Sequence, residues 1–177
     1  IGATNSTGAI NIGTRTWSDP LNLRTGVGGI NINGTVSMGA NNLTLTTDGD
    51  ITLDGGLTGT GTLTIIPTLA ATTIGLGDSQ LGTLNLTAAE LGRITNGWGS
   101  IIIGSTSLTG AMNIGAATWN DNITLRTGSG QMTVTGAQNA LTNNMTLTTS
   151  SNIAINAALA GTGTLSITPA TSSNTMG

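Results

Sequence analysis

Two stretches decide the fold. TGAINIGTRTWSDPLNLRTGVG (Thr7–Gly28) lies over TGAMNIGAATWNDNITLRTGSG (Thr109–Gly130) when the sequence is slid along itself by 102 positions. The overlay extends without a gap from Ile1–Gly75 to Ile103–Gly177, and 35 of those 75 positions are identical. Most of the remaining pairs exchange like for like. A repeat that admits no insertion is held in register by a regular scaffold. The chain reads as one continuous solenoid segment over residues 1–177, with copy one at 1–102 and a partial copy two at 103–177.

A finer rhythm runs inside each copy. Apolar–x–apolar triplets recur at Ile10/Ile12, Leu21/Leu23, Ile30/Ile32, Leu43/Leu45, Ile51/Leu53, Leu63/Ile65, Ile74/Leu76 and Leu84/Leu86. They continue at Ile101/Ile103, Met112/Ile114, Ile123/Leu125, Met132/Val134, Met145/Leu147, Ile153/Ile155 and Leu165/Ile167. Period-2 alternation marks strands with one buried face. Gly, Asn, Asp, Ser and Pro fill the gaps, as turns require. A strand thus recurs about every 11 residues, a spacing open to a sandwich or a solenoid. The fixed period of 102 positions favours the solenoid. Divided by five, that period gives about 20 residues per coil, within the range of solenoid repeats. The expected fold is an all-β, right-handed parallel β-helix. With coils about 4.8 Å apart, one copy rises roughly 24 Å.

Composition narrows the function. Only 6% of residues are charged, the net charge is −3, and His, Cys, Tyr and Phe are absent. Four Arg without Lys leave no footprint for phosphate, so nucleic acid is not an expected partner. No apolar run reaches the roughly 18 residues of a spanning helix. A transmembrane barrel would need aromatic girdles, and the chain has 2% aromatic residues. General acid–base and nucleophilic chemistry call mostly on His, Cys or Lys. With one Glu and none of those three, the sequence points away from an enzyme. No catalytic residue, metal ligand or cofactor is assigned.

Four groups of residues stand out. Thr87-Ala-Ala-Glu90 reads as a capping box, Thr87 capping and Glu90 answering, that opens a short helical corner near 88–95 in place of a strand. Asp48, Asp50 and Asp54 resemble a calcium turn or a carboxylate pair, but their partners in copy two are Ser150, Asn152 and Asn156. They read as turn residues. Trp17, Asp19 and Arg24 recur as Trp119, Asp121 and Arg126. As a carbohydrate-binding site they would offer an indole platform for sugar stacking beside an Asp–Arg pair. As a structural corner, Trp covers the coil edge, Asp caps backbone amides and Arg pairs with Asp, and this is the expected reading. Trp98 has no counterpart in copy two and receives no role. Last, Thr-x-Thr pairs such as Thr44/Thr46 and Thr146/Thr148 raise an alternative function, ice binding on a flat Thr face.

The stretches TIGLGDSQLGTLNLTAAEL (Thr73–Leu91) and AATWNDNITLRT (Ala116–Thr127) resemble repeats of filamentous haemagglutinin-like exoproteins, of the two-partner-secretion and autotransporter kind. The resemblance implies a right-handed β-helix at the bacterial cell surface, working in adhesion, biofilm or filament formation. Expected partners are the chain itself, end to end or side by side, and host or matrix glycans. The repeat termini read as mid-array: Ile1-Gly2 matches Ile103-Gly104, and Met176-Gly177 matches Ile74-Gly75.

Overall fold

The structure, a computed structural model, describes residues 1–170. The 171–177 end of copy two, including the Met176-Gly177 match, lies outside the described residues. The first coil runs through β1 (Ile10–Ile12), β2 (Arg15–Thr16) and β3 (Leu21–Arg24). The second holds β4 (Ile30–Ile32), β5 (Val36–Ser37) and β6 (Leu43–Thr46), and the third holds β7 (Ile51–Leu53), β8 (Leu57–Thr58) and β9 (Thr62–Ile66). A longer fourth coil contains β10 (Ile74–Leu76), β11 (Leu84–Leu86), the helix α1 (Ala88–Leu91) and β12 (Ser100–Gly104). Three regular coils follow. They comprise β13 (Met112–Ile114), β14 (Ala117–Thr118) and β15 (Ile123–Arg126); β16 (Met132–Val134), β17 (Gln138–Asn139) and β18 (Met145–Thr148); and β19 (Ile153–Ile155), β20 (Leu159–Ala160) and β21 (Leu165–Thr168).

Every ladder is parallel, and the chain is a β-helix. Ile10 pairs with Ile30 and Ile30 with Ile51, each strand lying over its equivalent in the next coil. Three strands per regular coil give the stack three faces. The second face is one unbroken seven-stranded sheet, β3-β6-β9-β12-β15-β18-β21. The first face is split into β1-β4-β7 and β11-β10-β13-β16-β19, and the third into β2-β5-β8 and β14-β17-β20. All fifteen apolar triplets are strands. The outer members of all but the last-coil triplets point inward and form one core: Leu23, Ile30, Ile32, Leu45, Ile65 and Leu125 are among the fully buried side chains. Aliphatic residues fill a narrow coil interior at close-packed density.

The six two-residue strands of the third face carry no alternation, and the triplet pattern does not foreshadow them. The fivefold division of the repeat holds on the first face, where β11 supplies the fifth layer between β7 and β10. The second face has four layers per repeat, because Leu63 pairs directly with Ile101 across the whole fourth coil. The extra layer arises locally. β10 and β11 are adjacent along the chain and are also parallel neighbours, Ile74 opposite Leu84. Their connection folds back over β10 at backbone contact: a Cβ on Gly82 would come 2.2 Å from Gly75 N, and one on Gly75 would come 3.0 Å from Gln80 O. Only glycine permits that approach.

One corner is held by buried threonines. Thr25, Thr47, Thr127 and Thr149 are fully buried just past the second face. Thr127 Oγ1 donates to Leu108 O and Gly110 O at 3.3 and 3.2 Å, and Thr149 Oγ1 to Gly128 O and Gly130 O at 2.9 Å each. Each hydroxyl thus ties its coil to carbonyls of the preceding one, of which Leu108 O and Gly128 O also accept from the backbone N–H of Gly128 and Ser150. Thr127→Val keeps the shape and removes that donor. It should lower stability by about 1–3 kcal/mol, the cost of stranding buried polar groups, read as a lower melting temperature with unchanged circular dichroism.

Candidate functional site

The capping box forms. Glu90 N donates to Thr87 Oγ1 at 3.3 Å, and Thr87 N donates to Glu90 Oε2 at 2.9 Å. The helix is one turn, Ala88–Leu91, shorter than the corner expected over 88–95. It stands in place of a third-face strand in the fourth coil, where an isolated bridge from Ile94, just beyond it, to Leu57 is what remains of that face. Glu90 has a second task. Its Oε1 accepts from Leu53 N at 3.1 Å, across to the third coil. Asp50 acts alongside it: Asp50 Oδ1 accepts from its neighbour Ile51 N at 2.9 Å and from Asn85 N at 2.8 Å. Two carboxylates therefore join β7 to β11 where no ladder connects them.

The remaining acidic turn is also engaged with backbone. Asp48, 3% exposed, accepts from Thr68 N and Leu69 N at 2.6 and 2.7 Å and from the Thr68 hydroxyl. Asp54 is exposed. Asp48 and Asp50 lie before β7 and Asp54 after it, and the buried Asp48 and exposed Asp50 both accept protein donors.

The two Trp–Asp–Arg sets differ. Trp119 is 3% exposed and Trp17 is half-buried. Trp119 Nε1 donates to Gln138 Oε1 at 3.0 Å. Gln138 is itself inside the core, and its Nε2 donates to Gly115 O and Gly136 O at 2.6 and 2.7 Å. Copy one has Val36 at the Gln138 position, and Trp17 Nε1 is buried without a partner. Sequence reasoning does not single out Gln138; its difference from Val36, beside Ala117 and Leu159 in the same column, is the signal that could have found it.

Asp121 is buried, and its Oδ1 accepts from Gly97 N of the preceding coil at 2.9 Å. Asp19 is exposed and accepts only from Ser18 Oγ, at 3.3 Å. Neither Asp reaches an Arg. Arg24 and Arg126 sit in one outward position of the second face, separated from the corner by extended chain that spans roughly 16 Å. Arg126 Nε instead donates to Gly104 O at 3.3 Å. The structure therefore separates the expected Asp–Arg pair and leaves Trp and Asp at the corner.

Trp98, given no role by sequence, is a core residue at 3% exposure, its Nε1 donating to Leu57 O at 3.3 Å. On the second face, the ladder lines up Asn22, Thr44, Thr64, Ile102, Thr124, Thr146 and Ser166 in one outward row. Ile102 interrupts the threonines in mid-array, which breaks the regular hydroxyl spacing an ice-binding face needs. A groove opens where the third face is split, between Ala88 and Leu91 of α1 and Ala117, Thr118, Asn139 and Ala160. Its walls are small and uncharged.

Among the described residues no helix is long and apolar enough to cross a membrane, and no group of three or more His, Cys, Asp or Glu is placed to hold a metal ion. No protein-family model, no curated protein and no solved structure matches the chain.

Two measurements check these assignments. Gln138→Val strands Trp119 Nε1 and two glycine carbonyls, and should cost about 1–3 kcal/mol in chemical denaturation, whereas Val36→Gln, which offers Trp17 the same acceptor, should cost less. Asp121→Ala should lower stability by about 0.5–2 kcal/mol through loss of its amide partner, while Asp19→Ala should stay within about 0.5 kcal/mol. Equal effects at the two Asp positions would contradict the difference in burial.

Proposed function

We propose that this chain is a structural and adhesive segment of an extracellular fibre on a bacterial surface, built from stacked coils and without catalytic activity. The observation that supports this reading most is the seven-stranded parallel sheet, in which each coil takes its hydrogen bonds and its apolar cover from its neighbours. Stacked coils of this kind extend by repetition along one axis.

The side walls support the same reading. The outward row of the second face is Thr, Asn and Ser for all but Ile102, with charge limited to a few Arg and Asp. Little repulsion opposes lateral packing, and rows of hydroxyl and amide groups suit many weak contacts with glycans on a host or matrix. The likeness of Thr73–Leu91 and Ala116–Thr127 to filamentous haemagglutinin-like repeats agrees with export and surface display. A heterologous, head-to-tail contact between coil ends gives an open fibre rather than a closed ring.

Electron microscopy of the chain over a rising concentration series tests the proposal. Linear particles that lengthen with concentration are expected, together with retention on a glycan array or on cells. Compact single particles at every concentration, with no retention on any surface, would defeat it.

A further inference from the structure

The carboxylates of the chain are unevenly placed. Asp19 and Asp54 are exposed, and no main-chain amide donates to either among the described residues. The other acidic side chains all accept main-chain amides, and together they bracket the fourth coil. At its entry, Asp48 accepts from Thr68 N and Leu69 N. Asp50, just before β7, accepts from Asn85 N of β11. Asp78, in the connection before β11, accepts from Ala88 N at 3.0 Å and so holds the first residue of α1. Glu90 ties Thr87 N to Leu53 N, and Asp121 reaches back from the fifth coil to Gly97 N.

The second face is held differently. Where β9, β12 and β15 run past the detour, the bonds are main chain to main chain, as from Ile101 N to Asn122 O at 2.8 Å. Beyond residue 102, Asp121 is the only acidic residue. The chain has no His and no Lys, so carboxylates are the only side chains that titrate between neutral pH and acid. The other charged groups on the elements around β11 and α1 are Asp54 and Arg93, the one basic residue between Arg24 and Arg126. Protonation turns a carboxylate oxygen from acceptor to donor, and Glu90 uses both of its oxygens as acceptors. These bonds are complete at neutral pH and are lost as the pH falls through the carboxylic range.

We infer that the fourth coil is an acid-released joint: protonation frees the β11–α1 detour, residues 84–97, from the coils on either side, while the second face keeps the rod in one piece. The stack is stiff along its length near neutral pH and loosens at its middle in acid. The inference concerns the coil itself and does not depend on what a fibre binds.

Amide hydrogen exchange on the full chain, corrected for the intrinsic effect of pH, is the test, run at neutral pH and at about pH 3. Protection at Asn85, Thr87, Ala88 and Gly97 should fall about tenfold or more in acid, while Ile101 and Ile123 stay within about twofold. Asp50→Asn combined with Glu90→Gln should show the acid pattern already at neutral pH and respond little to further acid. Glu90→Gln alone, which keeps one acceptor oxygen, should fall between. Asp19→Asn combined with Asp54→Asn should respond as the parent chain does. Unchanged protection of the fourth coil in acid overturns the inference, as does an equal loss along every coil, which is ordinary acid unfolding. A full acid response in the Asp50/Glu90 double variant places the effect elsewhere and overturns it too.

Discussion

The backbone N–H groups of each coil find their acceptors on the coils next to it, a full turn of the solenoid away, and the rest of the molecule follows from that dependence. Arg15 N reaches Thr35 O, Val36 N reaches Gly56 O, and Gln138 N reaches Ala158 O, all at 2.9 Å. A coil alone has few internal bonds and no enclosed core. Stacking supplies both at once, since a parallel register that aligns the backbone also places Ile over Ile and Leu over Leu. Turns are the weak places, where carbonyls leave the ladder. The threonine corner answers this by turning its hydroxyls to the coil before it, so that polar satisfaction also acts between coils.

The fourth coil shows what happens when the dependence is interrupted. β11 inserts a layer on the first face, and the third face splits at the same level, while the second face runs through intact. No backbone ladder spans β7 and β11. Asp50 and Glu90 supply acceptors for Ile51, Asn85 and Leu53, so two of the few carboxylates in the chain lie where the backbone cannot complete itself. A hydrogen bond from an amide to a charged carboxylate is stronger than one to a carbonyl. The capping box is therefore one half of a wider device: Glu90 closes the helix with one oxygen and the sheet with the other. The helix is kept to one turn because Ile94 must return to the third face beside Leu57.

The main strands are legible in the sequence because each presents two inward residues, and two are enough for a period to show. Two-residue strands of the third face such as β5 and β8 present one inward residue each, and a single apolar position such as Val36 or Leu57 has no period. The extra layer is legible as a triplet, Leu84/Leu86, but not as a detour, because a strand that slips in beneath its predecessor has the same alternation as one that begins a new coil. Local chemistry reads well where both partners lie within one turn of chain, as with Thr87 and Glu90. It fails where the partner lies on another coil. Asp121 bonds Gly97, Trp98 packs on Gly59, and Glu90 reaches Leu53. The Asp–Arg spacing misleads because five positions of extended chain span roughly 16 Å.

Differences between the two copies separate what the scaffold requires from what it tolerates. Val36 and Gln138 differ, and the indole next to each has an orphaned N–H in the first case and a partner in the second. A polar side chain enters an apolar column without disrupting it because all three of its hydrogen bonds are met by groups already there. The solenoid can accept such changes one coil at a time, since each coil contacts only its neighbours. What it cannot accept is a change in the count of residues between ladders, unless, as in the fourth coil, the surplus forms a layer of its own and side chains close the gap it leaves.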